Sequence, residues 1–108
     1  MKIATTAALA AFALAAGSAH AALDNAQAQA LMQKDGCAAC HAIDKKIVGP
    51  AYVDVAAKYK GDKNAAAMLA KKVKDGGVGV WGQIPMPPNA VPQKDIDELV
   101  GWILTLKK

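Results

Sequence analysis

Aromatic side chains are scarce in this sequence: they make up 5% of its 108 residues, whereas hydrophobic residues make up 54%. Alanine supplies 25 of the 58 hydrophobic residues, and an alanine side chain has little surface to bury. The length fits one small domain and excludes a multidomain enzyme. A chain this short with so thin a core often needs a disulfide, a metal or a cofactor to hold it together.

Arginine is absent, and cysteine and histidine occur only twice each. The formal net charge of +4 comes from lysines that are interspersed with acidic residues rather than grouped in a block. Such an evenly mixed, weakly basic surface attracts a polyanion only weakly, so nucleic acid is not an expected partner.

The N-terminus is the most apolar part of the sequence. Residues 1–2 carry one positive charge, residues 3–16 are uncharged and apolar or hydroxylated, and residues 19–21 form an A-x-A cleavage site. This order predicts a cleaved secretory signal peptide over residues 1–21, a mature domain over residues 22–108, and a periplasmic location. The alternative is a membrane anchor, but a span needs roughly 20 apolar residues, so we expect no stable membrane insertion.

Both cysteines belong to one short motif, Cys37-Ala38-Ala39-Cys40-His41. C-x-x-C-H is the attachment signature of c-type haem. Two thiols three residues apart on a helical turn can add to the two vinyl groups on one edge of a porphyrin. The next residue then carries its imidazole under the ring. The motif therefore predicts one covalently bound haem c, with His41 as a ligand of its iron.

Three alternatives compete with haem attachment. A thioredoxin-like redox pair would need a βαβ context, and no strand-like alternation flanks the motif. A zinc site would need two more ligands, whereas the predicted mature chain has no further cysteine or histidine. A chance motif whose cysteines form a simple disulfide stays open, because the predicted compartment is oxidising.

The iron needs a sixth ligand or an open face, and a second histidine is missing from the predicted mature chain. Among the methionines, Met32 lies on the helix that leads into the motif, and Met68 has the helical context of a core residue. Met86 lies in the proline-rich run of residues 84–89. Because each proline ring fixes its own backbone φ angle, such a run is stiff and can hold a side chain at a defined point. We expect Met86 to be the second iron ligand, with an incidental methionine on a surface loop as the alternative. Ligation by His41 and Met86 would raise the reduction potential and leave no open site on the iron.

Capping residues and hydrophobic periodicity predict helices joined by glycine- and proline-rich loops. The expected helices cover residues 25–34, 51–60, 63–74 and 93–107. Asp24 is the expected cap of the first helix, and Asp62 is the expected cap of the third. A long loop over residues 76–92 holds four glycines and four prolines. No segment has the pattern of a strand, so the fold class is all-α.

Together these residues resemble bacterial class I cytochromes c of the c-551/c-552 type. The resemblance lies in residues 36–43, 48–52, 54–58, 79–89 and 102–104 and covers nearly the whole predicted mature chain. The haem motif is shared by all c-type cytochromes. The run from Trp81 to the Pro-Met-Pro-Pro of residues 85–88 is what restricts the resemblance to the c-551/c-552 type. The resemblance implies a small class I cytochrome c fold of about four to five helices wrapped around one covalently bound haem.

The resemblance also implies roles for individual residues. Cys37 and Cys40 would form the two thioethers, and His41 and Met86 would ligate the iron. The carbonyl of Pro50 would accept a hydrogen bond from the ring N–H of His41 and fix its tautomer.

Two further residues would support the haem. Trp81 would donate its indole N–H to a haem propionate, and Asn89 would approach the Met86 sulfur. Plain packing for Trp81 and an ordinary turn for Asn89 are the alternatives. Two departures from the type are lysine rather than arginine near residues 71–72, and a proline rather than Ser or Thr before the last helix.

The implied function is single-electron transfer by a periplasmic monomer that is not an enzyme. Its partners would be redox proteins of a respiratory or denitrification chain, such as a nitrite reductase, a terminal oxidase or a peroxidase, docking transiently at the exposed haem edge. The expected docking surface is apolar with a lysine rim and consists of Ile47, Val48, Ile84, Pro85 and Pro87 with Lys45 and Lys46. Alternatives are a five-coordinate haem protein that binds a gas or peroxide, and a haem subunit bound permanently to a dehydrogenase.

Overall fold

The computed structural model of the protein describes residues 23–108. Four α-helices follow one another in this range: α1 (Asn25–Lys34), α2 (Tyr52–Lys58), α3 (Ala65–Asp75) and α4 (Gln93–Ile103). A short 3-10 turn covers Cys37–Ala39, and residues 23–108 contain isolated bridges but no strand. The all-α prediction is confirmed. The predicted signal peptide over residues 1–21 lies outside the described residues.

Helix α1 begins and ends as its sequence predicts. The Asp24 carboxylate accepts a hydrogen bond from the Gln27 amide at 2.8 Å, and the Gln27 side chain accepts one from the Asp24 amide at 3.0 Å. This reciprocal capping box satisfies two amides that a helix start leaves without partners. At the other end Gly36 has a φ of +80°, a conformation that glycine adopts without strain, and turns the chain into the cysteine motif.

Helix α3 begins later than predicted, because Asp62 forms a turn instead of capping the helix. Its Oδ1 atom accepts a hydrogen bond from the Asn64 amide at 2.8 Å, which stabilises a turn just before Ala65. The expectation that Met68 faces the core is also wrong, since 38% of this residue is exposed. Leu69 is buried instead, and consecutive helical residues point about 100° apart.

Helix α4 forms the centre of the core and packs against the other three helices. Its buried face consists of Asp95, Ile96, Leu99, Val100, Trp102 and Ile103. The helix ends at Ile103 rather than at residue 107, because the Thr105 hydroxyl donates to the Trp102 carbonyl oxygen at 2.6 Å and closes the last turn. The Trp102 indole N–H donates to Asn25 Oδ1 at 3.1 Å and joins α4 to the start of α1.

Most of the buried apolar residues are small or aliphatic, and the bulkiest are Tyr52 and Trp102. Full burial of one aliphatic side chain such as Ile96 stabilises the fold by about 1.5–3 kcal/mol. Between residues 23 and 108, none of the helices combines the length and the apolar character that a membrane span requires.

Candidate cofactor site

Two adjoining cavities lie between the helices and the loops that follow α1 and α3. The first spans about 730 Å³ and the second about 630 Å³ of space that is partly open to solvent. Cys37, His41 and Met86 line both cavities. Pro50 and Trp81 line the first, and Cys40 and Asn89 line the second. The fold therefore brings all the residues of the predicted site to one place.

The cysteine motif follows α1 as a single tight turn. The amides of Cys40 and His41 both donate to the Cys37 carbonyl oxygen, at 3.1 and 3.0 Å. Burial raises the pKa of the Cys37 thiol, while a hydrogen bond with Tyr52 opposes this shift. A redox-active dithiol depends on a lowered pKa, so these surroundings do not favour the thioredoxin-like alternative. Within residues 23–108, no three His, Cys, Asp or Glu side chains are grouped to hold a metal ion.

The tautomer of His41 follows from its hydrogen bond. Its Nδ1 atom lies 2.9 Å from the Pro50 carbonyl oxygen, and a carbonyl oxygen only accepts hydrogen bonds. Nδ1 therefore carries the proton in neutral imidazole, which leaves a lone pair on Nε2 for a metal. The Pro50 carbonyl group is itself held in place by the preceding residue, because the Gly49 amide donates to the Cys40 carbonyl oxygen at 2.7 Å.

Two further residues fix the imidazole plane of His41. The Gly49 main chain lies so close to the ring that a Cβ atom at this position would overlap ring atoms. The Tyr52 ring stacks on the imidazole with centroids 4.9 Å apart and planes 20° apart. Trp102 in turn meets Tyr52 edge to face at 6.2 Å, so α2 and α4 both support the orientation of His41. We did not predict this role of Tyr52 from the sequence, although the residue closes the Val-Gly-Pro-Ala-Tyr run that follows the motif.

Backbone hydrogen bonds hold Met86 beside the end of α3. Its amide donates to the Gly77 carbonyl oxygen at 2.8 Å, and the Gly77 amide donates to the Met86 carbonyl oxygen at 3.0 Å. Gly76 has a φ of +78° and lies so close to Met86 that a Cβ atom would overlap its carbonyl oxygen. The loop is thus fixed by pairing as well as by its prolines. Met32, by contrast, is buried in the core, and Met68 is exposed outside both cavities.

Trp81 lies at the rim of the first cavity, with 38% of the residue exposed. The Lys58 ammonium stands 5.7 Å from the Trp81 ring and 5.8 Å from the Tyr59 ring, within the range of cation–π attraction. The sequence pattern gave no sign of this contact, which joins the end of α2 to a loop. Lys72 lines the same cavity.

Asn89 supports the main chain around Met86. Its side-chain amide donates to the Val73 carbonyl oxygen at 3.1 Å and to the Pro87 carbonyl oxygen at 3.0 Å. Both N–H groups of this amide are therefore used by backbone acceptors. The approach of Asn89 to the Met86 sulfur stays a prediction.

The residues of the two cavities fit a haem. The first cavity is lined almost entirely by apolar side chains, with Asp35 and Lys72 as its charged residues. The His41 imidazole, the Met86 thioether and Cys37 belong to residues that line both cavities, and Cys40 lines the second. A flat apolar porphyrin needs such walls, and haem iron accepts nitrogen and thioether ligands.

Comparison with known proteins agrees with this chemistry. The family model described as cytochrome c matches residues 25–107. Cytochrome c-551 of Allochromatium vinosum is 62% identical over 77 residues, which are 70% of this chain and 82% of that protein. Cytochrome c-551 of Pseudomonas aeruginosa is 54% identical over 79 residues, 73% of this chain and 76% of that protein. The crystal structure of wild-type Nitrosomonas europaea cytochrome c552 aligns with a TM-score of 0.71 at 54% identity, covering 73% of this chain and 99% of that one.

The fold and the donor set define a small all-α haem protein of the class I cytochrome type. The chain belongs to the cytochrome c family, since the family model covers most of its length and its similar relatives are cytochromes c-551 and c-552. Membership implies a covalently attached haem c with its iron. The predicted resemblance and the predicted cofactor are both confirmed.

Proposed function

We propose that the chain is a monohaem electron carrier in which Cys37 and Cys40 form the thioethers and His41 and Met86 ligate the iron. The observation that carries this proposal is the meeting of these side chains at two adjoining cavities, with the His41 proton held on Nδ1. When bound, haem c supplies an iron that passes reversibly between its ferric and ferrous states by one electron.

The chain's own contribution is to hold its ligands still. Pro50 and Tyr52 fix the His41 ring, and paired hydrogen bonds with Gly77 fix the main chain of Met86. Ligands that are already oriented need not move when the charge on the iron changes, so the reorganisation that electron transfer requires stays small. The apolar walls exclude water from the site, and two protein ligands leave no coordination position for a substrate.

The proposed docking surface surrounds the second cavity. Val48, Ile84, Pro85 and Pro87 line this cavity beside Cys40, and Ile47 stands next to Val48 in the chain. Ile47, Val48 and Ile84 are 49%, 44% and 67% exposed, and Lys45 and Lys46 are exposed as well. A small apolar contact with a basic rim suits rapid docking and release by an acidic redox partner.

Periplasmic location and a monomeric state belong to the same proposal. The pattern of residues 1–21 supports export with cleavage after Ala21. N-terminal sequencing of the protein purified from a periplasmic fraction tests the cleavage, and sedimentation at several concentrations tests the monomer. Sequencing that finds Met1 at the N-terminus of the purified protein would contradict the proposed export.

The iron ligation is tested on the holoprotein by absorption spectroscopy. We expect a far-red charge-transfer band from methionine to ferric haem, and a ferrous form that resists carbon monoxide. Met86→Leu should lose the band and bind carbon monoxide, whereas the matched control Met68→Leu, at an exposed methionine, should retain the native spectrum. A native protein that lacks the band and binds carbon monoxide readily would be a five-coordinate haem protein instead.

The docking surface is tested by stopped-flow oxidation of the ferrous protein with a nitrite reductase, a terminal oxidase and a peroxidase. Charge reversal of Lys45 and Lys46 together should slow the reaction with the physiological partner at low salt, and the rates should converge at high salt. Lys94→Glu, at an exposed lysine that lines neither cavity, is the control. Rates that ignore both salt and these charges would contradict the proposed surface, and co-purification with a dehydrogenase would support a permanent subunit.

A further inference from the structure

Asp35 lines the first cavity, and one of its two carboxylate oxygens is buried. The residue follows the last residue of α1, and its Oδ2 atom is buried with no hydrogen-bond partner among the residues that the structure describes. Its side chain lines the same cavity as His41 and Met86. A buried, unpaired oxygen is costly for a carboxylate, and protonation of the group removes most of that cost. The proposed function gives this residue no role.

The groups around Asp35 also favour its protonated form. Burial raises the pKa of Asp35, and charge repulsion from the Asp95 carboxylate on α4 raises it further. The attraction of the Lys34 ammonium lowers this pKa, but the Lys34 Nζ atom pairs with Asp95 Oδ2 at 3.2 Å. Asp35 also lies at the C-terminal, negative end of α1. In the holoprotein Cys37, in the turn that follows, is a thioether and does not titrate, and on α3 the charged residue that lines the same cavity is Lys72.

We propose that Asp35 is a proton-binding site whose occupancy is coupled to the electron carried by the haem. The inference rests on the proposed function, because it needs a redox centre in the cavity that Asp35 lines. To the proposed electron carrier it adds a bound proton and the residue that binds this proton, Asp35.

Charge balance sets the direction of the coupling. When a reduced redox partner delivers one electron, the total charge in the cavity falls by one, and a nearby carboxyl group then holds its proton more tightly. The Asp35 carboxylate takes one proton from solvent water at this step and becomes a neutral carboxylic acid. When an oxidised partner removes the electron, the carboxyl group releases the proton to solvent. The pKa of Asp35 is therefore higher in the ferrous protein than in the ferric protein.

The first measurement is the midpoint potential of the holoprotein from about pH 4 to pH 8 by film voltammetry. Between the two pKa values of Asp35 the potential should fall as pH rises, with a limiting slope of about 59 mV per pH unit for one proton per electron. Asp35→Asn, which keeps the shape but cannot ionise, should remove this segment of the curve. Haem propionates also titrate, and any slope that Asp35→Asn leaves in place belongs to them.

Two further variants sharpen the test. Asp75→Asn is the matched control, since Asp75 is also an acidic residue at the C-terminal end of a helix but is exposed and does not line the cavity. It should leave the curve unchanged. Asp95→Asn removes the repelling carboxylate and frees Lys34, so the segment should move to lower pH.

A direct titration needs no variant and separates the two proposals. Carbon-13 NMR of the Asp35 carboxyl carbon in the ferric and ferrous protein should give two different pKa values, the higher one in the ferrous form. Equal values in the two states, or an Asp35→Asn curve identical to the native one, would overturn the proton site while a reversible one-electron wave still supports the carrier. Absence of any reversible wave would overturn the electron carrier and the proton site together.

Discussion

The imidazole of His41 donates its Nδ1–H to the carbonyl oxygen of Pro50 across 2.9 Å. The bond joins the residue that ends the C-x-x-C-H motif to the loop that leads into α2, so two segments fix one ring. Because the acceptor is a main-chain carbonyl, no side-chain rotation can withdraw it. His41 therefore presents an unprotonated Nε2 in one orientation before any ligand engages it.

Replacement of Gly49 by alanine tests how tightly this ring is held. The added Cβ atom would overlap the His41 ring, so either the ring or the loop must move away from the Pro50 carbonyl. Overpacking of this kind usually costs about 1–3 kcal/mol. We expect the holoprotein of Gly49→Ala to unfold at lower guanidinium concentration. Its Nδ1–H should also exchange with solvent faster, as measured by NMR.

Gly101→Ala is the matched control for that substitution. Gly101 lies within α4, has no positive φ, and would place its Cβ in open space. Alanine is the better helix former by about 0.5–1 kcal/mol, so this variant should be as stable as the native protein or slightly more so. Equal destabilisation of both variants would show that contact with His41 is not the cause.

Local sequence patterns predicted the four helices because each carries a periodic apolar face or a capping residue. The start of α3 was misplaced since Asp62 has two local options, a helix cap and a turn, and only the surrounding packing selects between them. Met68 was assigned to the core from its helical context, and a shift of one residue along a helix changes which side chain faces inward. In the folded chain Leu69, one position further, takes the buried place.

The candidate site divides in the same way between local and tertiary information. Cys37, Cys40, His41 and Met86 were predicted from chemistry and spacing within short runs. The partners of Pro50 and Trp81 came from the family resemblance. The roles of Tyr52 and Asp35 arise from contacts between segments that are distant in the chain, such as Asp35 near Asp95, and no local pattern encodes such contacts.

Tyr52 makes stability depend on alkaline pH. Burial raises the pKa of its hydroxyl well above the value near 10 that an unfolded chain shows. Below about pH 10 this contribution to stability is fully present. As pH rises further the unfolded state ionises first, so the free energy of unfolding falls by about 1.4 kcal/mol per pH unit until the folded hydroxyl also ionises.

Guanidinium unfolding of the holoprotein and of Tyr52→Phe, at matched pH values, measures this contribution. Between about pH 6 and pH 9 the difference in stability between the two proteins should stay constant. Above about pH 10 the native protein should lose stability more steeply than Tyr52→Phe. Parallel curves over the whole range would mean that Tyr52 ionises as readily in the folded chain as in the unfolded one.

Lys58 should act as a positioning residue for Trp81. Its ammonium lies 5.7 Å from the Trp81 ring and 5.8 Å from the Tyr59 ring, and an exposed cation–π contact is worth about 0.5–1 kcal/mol. Lys58→Met keeps much of the alkyl chain but loses the charge. We expect faster solvent exchange of the Trp81 indole N–H by NMR in this variant. Lys58→Arg should restore protection, and Lys60→Met, at an exposed lysine two residues away, should change nothing.

The apo-chain should not fold. Most side chains buried in the described core are small or aliphatic, and the walls of the first cavity come from α2, α3 and α4 as well as from the cysteine motif. Without a cofactor those walls face about 730 Å³ of space, and their apolar surface stays in contact with water. Because this core has few aromatic side chains, it then buries too little apolar surface to offset the conformational entropy that is lost when the chain folds.

A double substitution, Cys37→Ser with Cys40→Ser, tests this by preventing covalent attachment. Far-ultraviolet circular dichroism at 25 °C should show loss of most of the helical signal, and heating should give no cooperative transition. The single substitution Cys37→Ser is the control, because one remaining thioether still holds the haem between the helices and should preserve the fold with a lower Tm. A helical, cooperatively unfolding double variant whose absorption spectrum shows no bound haem would show that the side chains alone suffice for the core and that the cofactor is an addition to a preformed fold.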